Sequence, residues 1–172
     1  MIQTERLELR EFHLDDKVKM TALLRDADFM AFSPTGAMSQ EQAEIKFVQL
    51  LSAFEYHGVG KFVVIEKASR DIIGYCGIAA FEYKNQNVVE LGYRLKLAAR
   101  GKGYAVEASR AVLDFAKQRQ FSSVLALTEL ENAASQHILF KLGFKALEQG
   151  EYQGVPVQFL KNSLVLTINK LS

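Results

Sequence analysis

The stretch Val88–Lys117, VVELGYRLKLAARGKGYAVEASRAVLDFAK, decides how this chain is read. Its opening residues are apolar and β-prone, with polar residues at every second place, and its closing residues carry Ala105, Ala108, Val112 and Phe115 at helical spacing. RGKGYA joins the two, so the stretch is a strand, a glycine turn and a helix. Such a turn leaves the first N–H groups of the helix unpaired where the helix dipole adds about half a positive charge, and such an end binds phosphate. Gly101 and Gly103 have no Cβ, so a diphosphate can approach the main chain, and Arg100 and Lys102 add charge at the rim.

Two phosphate loops fail the test of spacing. A P-loop needs GxxxxGK followed by Ser or Thr, but Lys102 is followed by Gly103 and no such string occurs elsewhere. The dinucleotide fingerprint GxGxxG/A fails at its last position, which is Val106. The pattern Arg/Gln-x-x-Gly-x-Gly/Ala is met in full by Arg100, Gly103 and Ala105. On this turn the sequence resembles the GNAT superfamily of N-acetyltransferases. A second signature follows in ENAASQHILFKLGF, Glu131 to Phe144, with Asn132, Ser135 and the KLGF ending. The opening TERLELREFHLDD resembles the RimJ/RimL branch of that superfamily, and the resemblance covers nearly the whole chain.

The bulk numbers fit one domain over residues 1–172, with 49% hydrophobic residues to fill a core. A net charge of +1 gives no basic field to draw in nucleic acid. The single cysteine, Cys76, has no disulfide partner and suits a reducing, cytoplasmic setting. No apolar run reaches the roughly 18 residues of a membrane span. His13, His57 and His137 have no metal-ligand spacing, so no metal is expected.

Taken in order, the chain predicts a strand from Gln3 to Phe12, then a helix opened by Asp15 and Asp16. Ser33 to Gly36 reads as a loop, and Ser39 with Gln42 as the capping box of a helix running to about Tyr56. KFVVIEK and IIGYCGIAAF form a hairpin across residues 68 to 71, and Asn85 turns the chain into the central strand. Later come strands at Ser123 to Leu130, Phe144 to Glu151 and Val157 to Leu166, with a short helix from Ala133 to Leu142. The fold class is α/β. The resemblance implies a mixed, mostly antiparallel sheet of about seven strands with about four helices and splayed central strands.

The resemblance also implies the chemistry. Acetyl-CoA is the expected cosubstrate, its diphosphate on the turn from Arg100 through Gly101, Lys102, Gly103, Tyr104 and Ala105. Its pantetheine is expected to add like a strand to the main chain at Leu95 and Leu97, with Asn132 also bonding it. Glu90 shares the central strand with Arg94 and Lys96 at even spacing, where a strand covered on both faces is usually apolar. Its expected role is to take the proton of the acceptor amine, with Glu131 and Glu151 as rivals. The family's usual acidic tyrosine is replaced by Leu139, which leaves Ser135 as the hydroxyl that can reach the sulfur. The acceptor is a primary amine on a protein N-terminus or a small molecule, and the chain is a monomer or homodimer. The rival reading is a non-catalytic CoA-binding module, which thiol release with any amine would exclude.

Overall fold

The computed structural model describes residues 1–164; the predicted strand residue Leu166 lies outside them. The elements are β1 (Ile2–Gln3), β2 (Leu7–Arg10), α1 (Lys17–Leu24), α2 (Gln40–His57), β3 (Lys61–Glu66), β4 (Ile72–Tyr83), β5 (Gln86–Leu95), α3 (Tyr104–Gln118), β6 (Ser123–Glu129), α4 (Ala133–Lys141), β7 (Lys145–Tyr152) and β8 (Val155–Ser163). They form one eight-stranded sheet in the order β1-β2-β3-β4-β5-β6-β8-β7, antiparallel except where β5 meets β6. No helix among the described residues is long and apolar enough to cross a membrane.

Local chemistry accounts for most boundaries. The Ser39 hydroxyl accepts from Gln42 N–H at 3.2 Å while the Gln42 side chain accepts from Ser39 N–H at 2.9 Å, the reciprocal cap that starts α2. Lys84 and Asn85, both left-handed with φ of 48° and 61°, turn β4 into β5. The predicted first strand is instead two. Thr4 N–H donates to Leu7 O at 2.9 Å and the Thr4 hydroxyl accepts from Leu7 N–H at 3.0 Å, so the chain folds back and β1 pairs with β2. This adds the strand that raises the expected seven to eight.

The sheet separates two cores. Val89, Leu91 and Leu95 of β5 face α3 and α4, with Ala108, Val112 and Leu139 buried against them. The opposite face holds Val63, Ile65 and Tyr75 under Met20, Leu24 and Phe47 of α1 and α2. Beyond β6, Phe81, Tyr83 and Tyr152 join Leu125, Val157 and Phe159 in a third cluster. A cleft lies between α2 and the β3–β4 pair.

Asp16 closes the first segment. It is 4% exposed and meets Arg10 through two hydrogen bonds of 2.8 and 2.9 Å, and it also accepts from His13 N–H at 2.8 Å. Burial pushes the carboxyl up, but the Arg10 and His13 bonds outweigh it and hold it below the usual range. A depressed carboxyl stabilises the fold above its unfolded value near ~4 and loses that contribution as pH falls through the folded value. Asp16→Asn should therefore cost about 3 kcal/mol at pH 7, a drop of about 6–12 °C in Tm. Thermal unfolding at pH 7 and pH 3 checks this, because the gap between parent and variant must shrink at the lower pH.

Candidate active site

The glycine turn is built as a donor cluster. Gly101 and Gly103 have φ of +75° and +82°, and Gly103 caps α3. The first bond of that helix runs from Glu107 N–H to Gly103 O, and the main-chain N–H groups from Gly101 to Val106 donate to no acceptor among the described residues. A Cβ at Gly101 would meet nothing within 4 Å, so the space before these donors is open. Successive free N–H groups on open space fit a diphosphate.

The side chains around the turn are arranged differently from the sequence expectation. Arg100 is not a free rim charge, since its Nε donates to Leu95 O at 3.0 Å and its Nη2 to Asp28 O at 2.6 Å. It straps the segment after α1 to the end of β5. Tyr104 donates its hydroxyl to Glu66 at 2.6 Å and its ring carries the Arg6 guanidinium at 4.4 Å, so its main chain, not its side chain, serves the turn. Ala105 packs against the core and Lys102 is exposed. Arg6, which sequence reasoning missed, braces the turn with its charge shared by Glu107. It donates to Lys102 O at 2.7 Å and pairs with Glu107 at 2.7 Å.

Below the turn the two central strands part. β5 and β6 share a single ladder pair, Glu90 with Leu125, and diverge beyond it. Lys96 N–H donates to Ile73 O at 2.8 Å, and antiparallel alternation then turns the main chain of Tyr93 and Leu95 away from β4 toward the open edge. Leu97 lies past the strand, exposed, in a 3-10 turn over Leu97–Ala99. The open edge thus runs through Tyr93 and Leu95, with Leu95 O already held by Arg100, and the predicted Leu97 lies past its end.

Tyr93 and Ser135 close the gap on the α3/α4 side, their hydroxyls 2.9 Å apart. Burial pushes the Tyr93 hydroxyl up to about 12, against the Ser135 bond that lowers it. Asn132 caps α4, its side-chain oxygen accepting from Ser135 N–H at 3.1 Å. Its cap role occupies the oxygen and leaves the amide nitrogen for another acceptor. Leu139, 2% exposed, sits in the core. Nothing local in the sequence marks Tyr93 as the partner of Ser135.

At the apex of the split stands Glu90, on the opposite face. Arg94 and Lys96 have structural partners there: Arg94 donates to Ala31 O at 2.8 Å and Phe29 O at 3.3 Å, and Lys96 pairs with Asp71. Glu90 is half-buried and, among the described residues, takes no protein hydrogen bond. Burial pushes its carboxyl up, offset in part by Lys61 and Lys46, so that it lies above the ordinary value. The rivals Glu131 and Glu151 are exposed. A cleft of about 300 Å³ between α2 and the β3–β4 pair, lined by Lys46, Ala53, Lys61 and Ala79 among others, reaches this point, since Ala79 is the ladder partner of Glu90. Cys76 is buried against the Ser109 hydroxyl at 3.7 Å and its thiol is pushed up to about 11, which keeps it inert. Among the described residues no three His, Cys, Asp or Glu side chains gather as metal ligands would.

This architecture has counterparts. The family model for the acetyltransferase (GNAT) domain matches residues 6–145. The uncharacterized protein YkkB of Bacillus subtilis is 33% identical over 143 residues, covering 81% of this chain and 82% of that protein. The uncharacterized N-acetyltransferase YnaD of the same organism is 27% identical over 145 residues, with 84% and 82% covered. Among solved structures, a GNAT-family acetyltransferase from Bacillus anthracis superposes with a TM-score of 0.78 over 95% of this chain and 98% of that one, at 23% identity. A free donor turn, a parted pair of central strands and a family match across both signatures agree: the chain belongs to the acetyltransferase (GNAT) domain family.

Proposed function

We propose that this protein is an acetyl-CoA-dependent N-acetyltransferase of the RimJ/RimL type that acetylates a primary amine by direct attack in a ternary complex. The observation that carries it is the continuity of one path. Free N–H donors from Gly101 to Val106 open onto the parted strands, and the parting ends at Glu90, where the cleft under α2 arrives. Acetyl-CoA, when bound, supplies the thioester that the amine attacks. The turn and Arg6 hold its phosphates, and the Tyr93–Leu95 edge and the Asn132 amide hold its arm.

Each remaining residue has a proton to handle. The protonated amine first gives a proton to Glu90, directly or through water; the neutral nitrogen then bonds to the carbonyl carbon, the carbon–sulfur bond breaks, and the second amine proton leaves to solvent. A carboxyl raised above its ordinary value is a better base for this than an unperturbed one. The departing sulfur is met by the Ser135–Tyr93 pair. A tyrosine at about 12 is a weaker acid than a thiol near ~8.5, so this pair hydrogen-bonds the sulfur and relays a proton drawn from solvent. It is not a resting acid, and that revises the simple proton-donor role expected of Ser135. A lone buried cysteine with no disulfide partner among the described residues fits a reducing compartment such as the cytoplasm.

The test is thermal unfolding with acetyl-CoA, ATP or NAD at about a hundred times the expected dissociation constant. Binding to the folded state adds about 2.7 kcal/mol, an increase in Tm of about 5–10 °C with acetyl-CoA alone. Thiol release with an amine panel follows. No shift, or a shift with every ligand, overturns the cofactor reading; a shift without thiol release leaves a CoA-binding module.

A further inference from the structure

The cleft that delivers the acceptor is positively charged, and little in the protein neutralises it. Lys61 Nζ and Glu90 both lie over Gly92, where a Cβ would stand 2.6 Å from Lys61 Nζ and 3.8 Å from Glu90 Oε1. Gly92 is the residue whose missing side chain lets the ammonium lie across β5. The Lys61 ammonium donates to Gly77 O at 3.4 Å, a neutral carbonyl, and no acid pairs with it among the described residues. Lys46 reaches the same space from α2. It too has no acidic partner within ion-pair distance among the described residues, and burial together with Lys61 lowers its pKa. The Arg94 guanidinium, bonded to the carbonyls of Phe29 and Ala31, lies near Lys46 and adds to the positive field there. Two lysines thus face one carboxylate, with Arg94 beyond Lys46, and like charges held together in a partly desolvated cleft favour an anion among them.

Resting on the transferase reading above, we infer that the acceptor is a primary amine carrying an anionic group close to the amine, a carboxylate in a free amino acid or an acidic side chain next to a peptide N-terminus. The Lys46–Lys61 pair receives the anion, and Glu90 receives the amine at the mouth of the parted strands. The two ends of the cleft then read the two charges of one molecule. A polyamine has the wrong sign for this surface, since its second cation would meet the two lysines.

Initial rates of thiol release with acetyl-CoA test this on matched acceptors: L-glutamate against L-glutaminamide, the tripeptide amide Ser-Glu-Ala against Ser-Gln-Ala, and spermidine. The anionic member of at least one pair should show kcat/KM about tenfold or more above its neutral partner, and the pair that shows it tells free amino acid from peptide. In Lys61→Gln that ratio should collapse to within about twofold, and in Lys61→Arg it should return. Retention of the acetyl-CoA shift in Tm shows that each variant is folded. Equal or better rates with the neutral members or spermidine, or a ratio that Lys61→Gln leaves intact, overturn the inference. If acetyl-CoA binds but no amine is turned over, the transferase reading fails and takes the inference with it. If acetyl-CoA does not bind, the failure lies at the turn.

Discussion

Glu90→Gln is expected to lower kcat/KM for the acceptor by about a hundredfold at pH 7, the low end of what a positioned general base contributes. The sign with pH follows from the two groups involved. An acceptor α-amine titrates near ~8, so at pH 7 most of it carries the proton that must leave before attack. In the parent, Glu90 takes that proton, and activity holds until pH falls through the raised carboxyl value. In the variant only the amine that is already neutral reacts. The logarithm of the rate should then climb with unit slope to the amine pKa, and the two profiles should converge above it. The substitution is nearly isosteric, and no protein hydrogen bond to Glu90 among the described residues is lost, so Tm should move little. Parallel profiles would leave Glu90 as scaffold.

A second consequence separates chemistry from binding. Among the described residues Glu90 is the carboxylate that faces both Lys46 and Lys61, and removing its charge makes the cleft more positive. For an anionic acceptor KM should therefore stay level or fall while kcat drops. A rise in KM equal to the fall in kcat/KM would mean that Glu90 holds the substrate rather than activates it.

What the sequence shows plainly is what is local. The Ser39–Gln42 cap, the hairpin across residues 68 to 71 and the strand, turn and helix around RGKGYA each depend on neighbours a few residues apart, and each stands where the spacing puts it. What it conceals is set by contacts across the chain. Arg6 serves the turn through Glu107, a hundred and one positions away, and the same helix breaks the first strand by bonding Thr4. Ser135 finds Tyr93 forty-two positions back, because β5 and β6 diverge and leave α4 over the gap. The polar run on β5 was legible as an anomaly, but only packing divides it into a strap, an ion pair and one unpartnered acid. Leu97 falls outside the strand for a similar reason: the pattern of alternating residues runs on, while the 3-10 turn ends the strand after Leu95.

Gly103→Val should raise the Michaelis constant for acetyl-CoA by about tenfold or more while changing kcat less. Gly103 has φ of +82°, a region that costs an L residue about 1–2 kcal/mol and a β-branched one more. A Cβ there would also stand 3.3 Å from Arg6 Nη2, tighter than an ordinary contact, so the guanidinium must give by a few tenths of an ångström against Lys102 O and Glu107, and the valine methyls push it further. Both effects fall on the same function. The valine disorders the first N–H donors of α3 and displaces the cation beside them, and about 1.4 kcal/mol of lost binding is already tenfold. Gly101→Ala is the internal comparison, since its φ of +75° carries the backbone strain but its Cβ meets nothing within 4 Å. It should lose less affinity than Gly103→Val, the difference combining the push on Arg6 with the added strain of a β-branched residue. Arg6→Ala should then weaken acetyl-CoA binding and narrow that difference. Because Tyr93, Ser135 and Glu90 lie along the parted strands away from the turn, saturating acetyl-CoA should restore most of kcat in Gly103→Val. An unchanged Michaelis constant would remove the diphosphate from this turn.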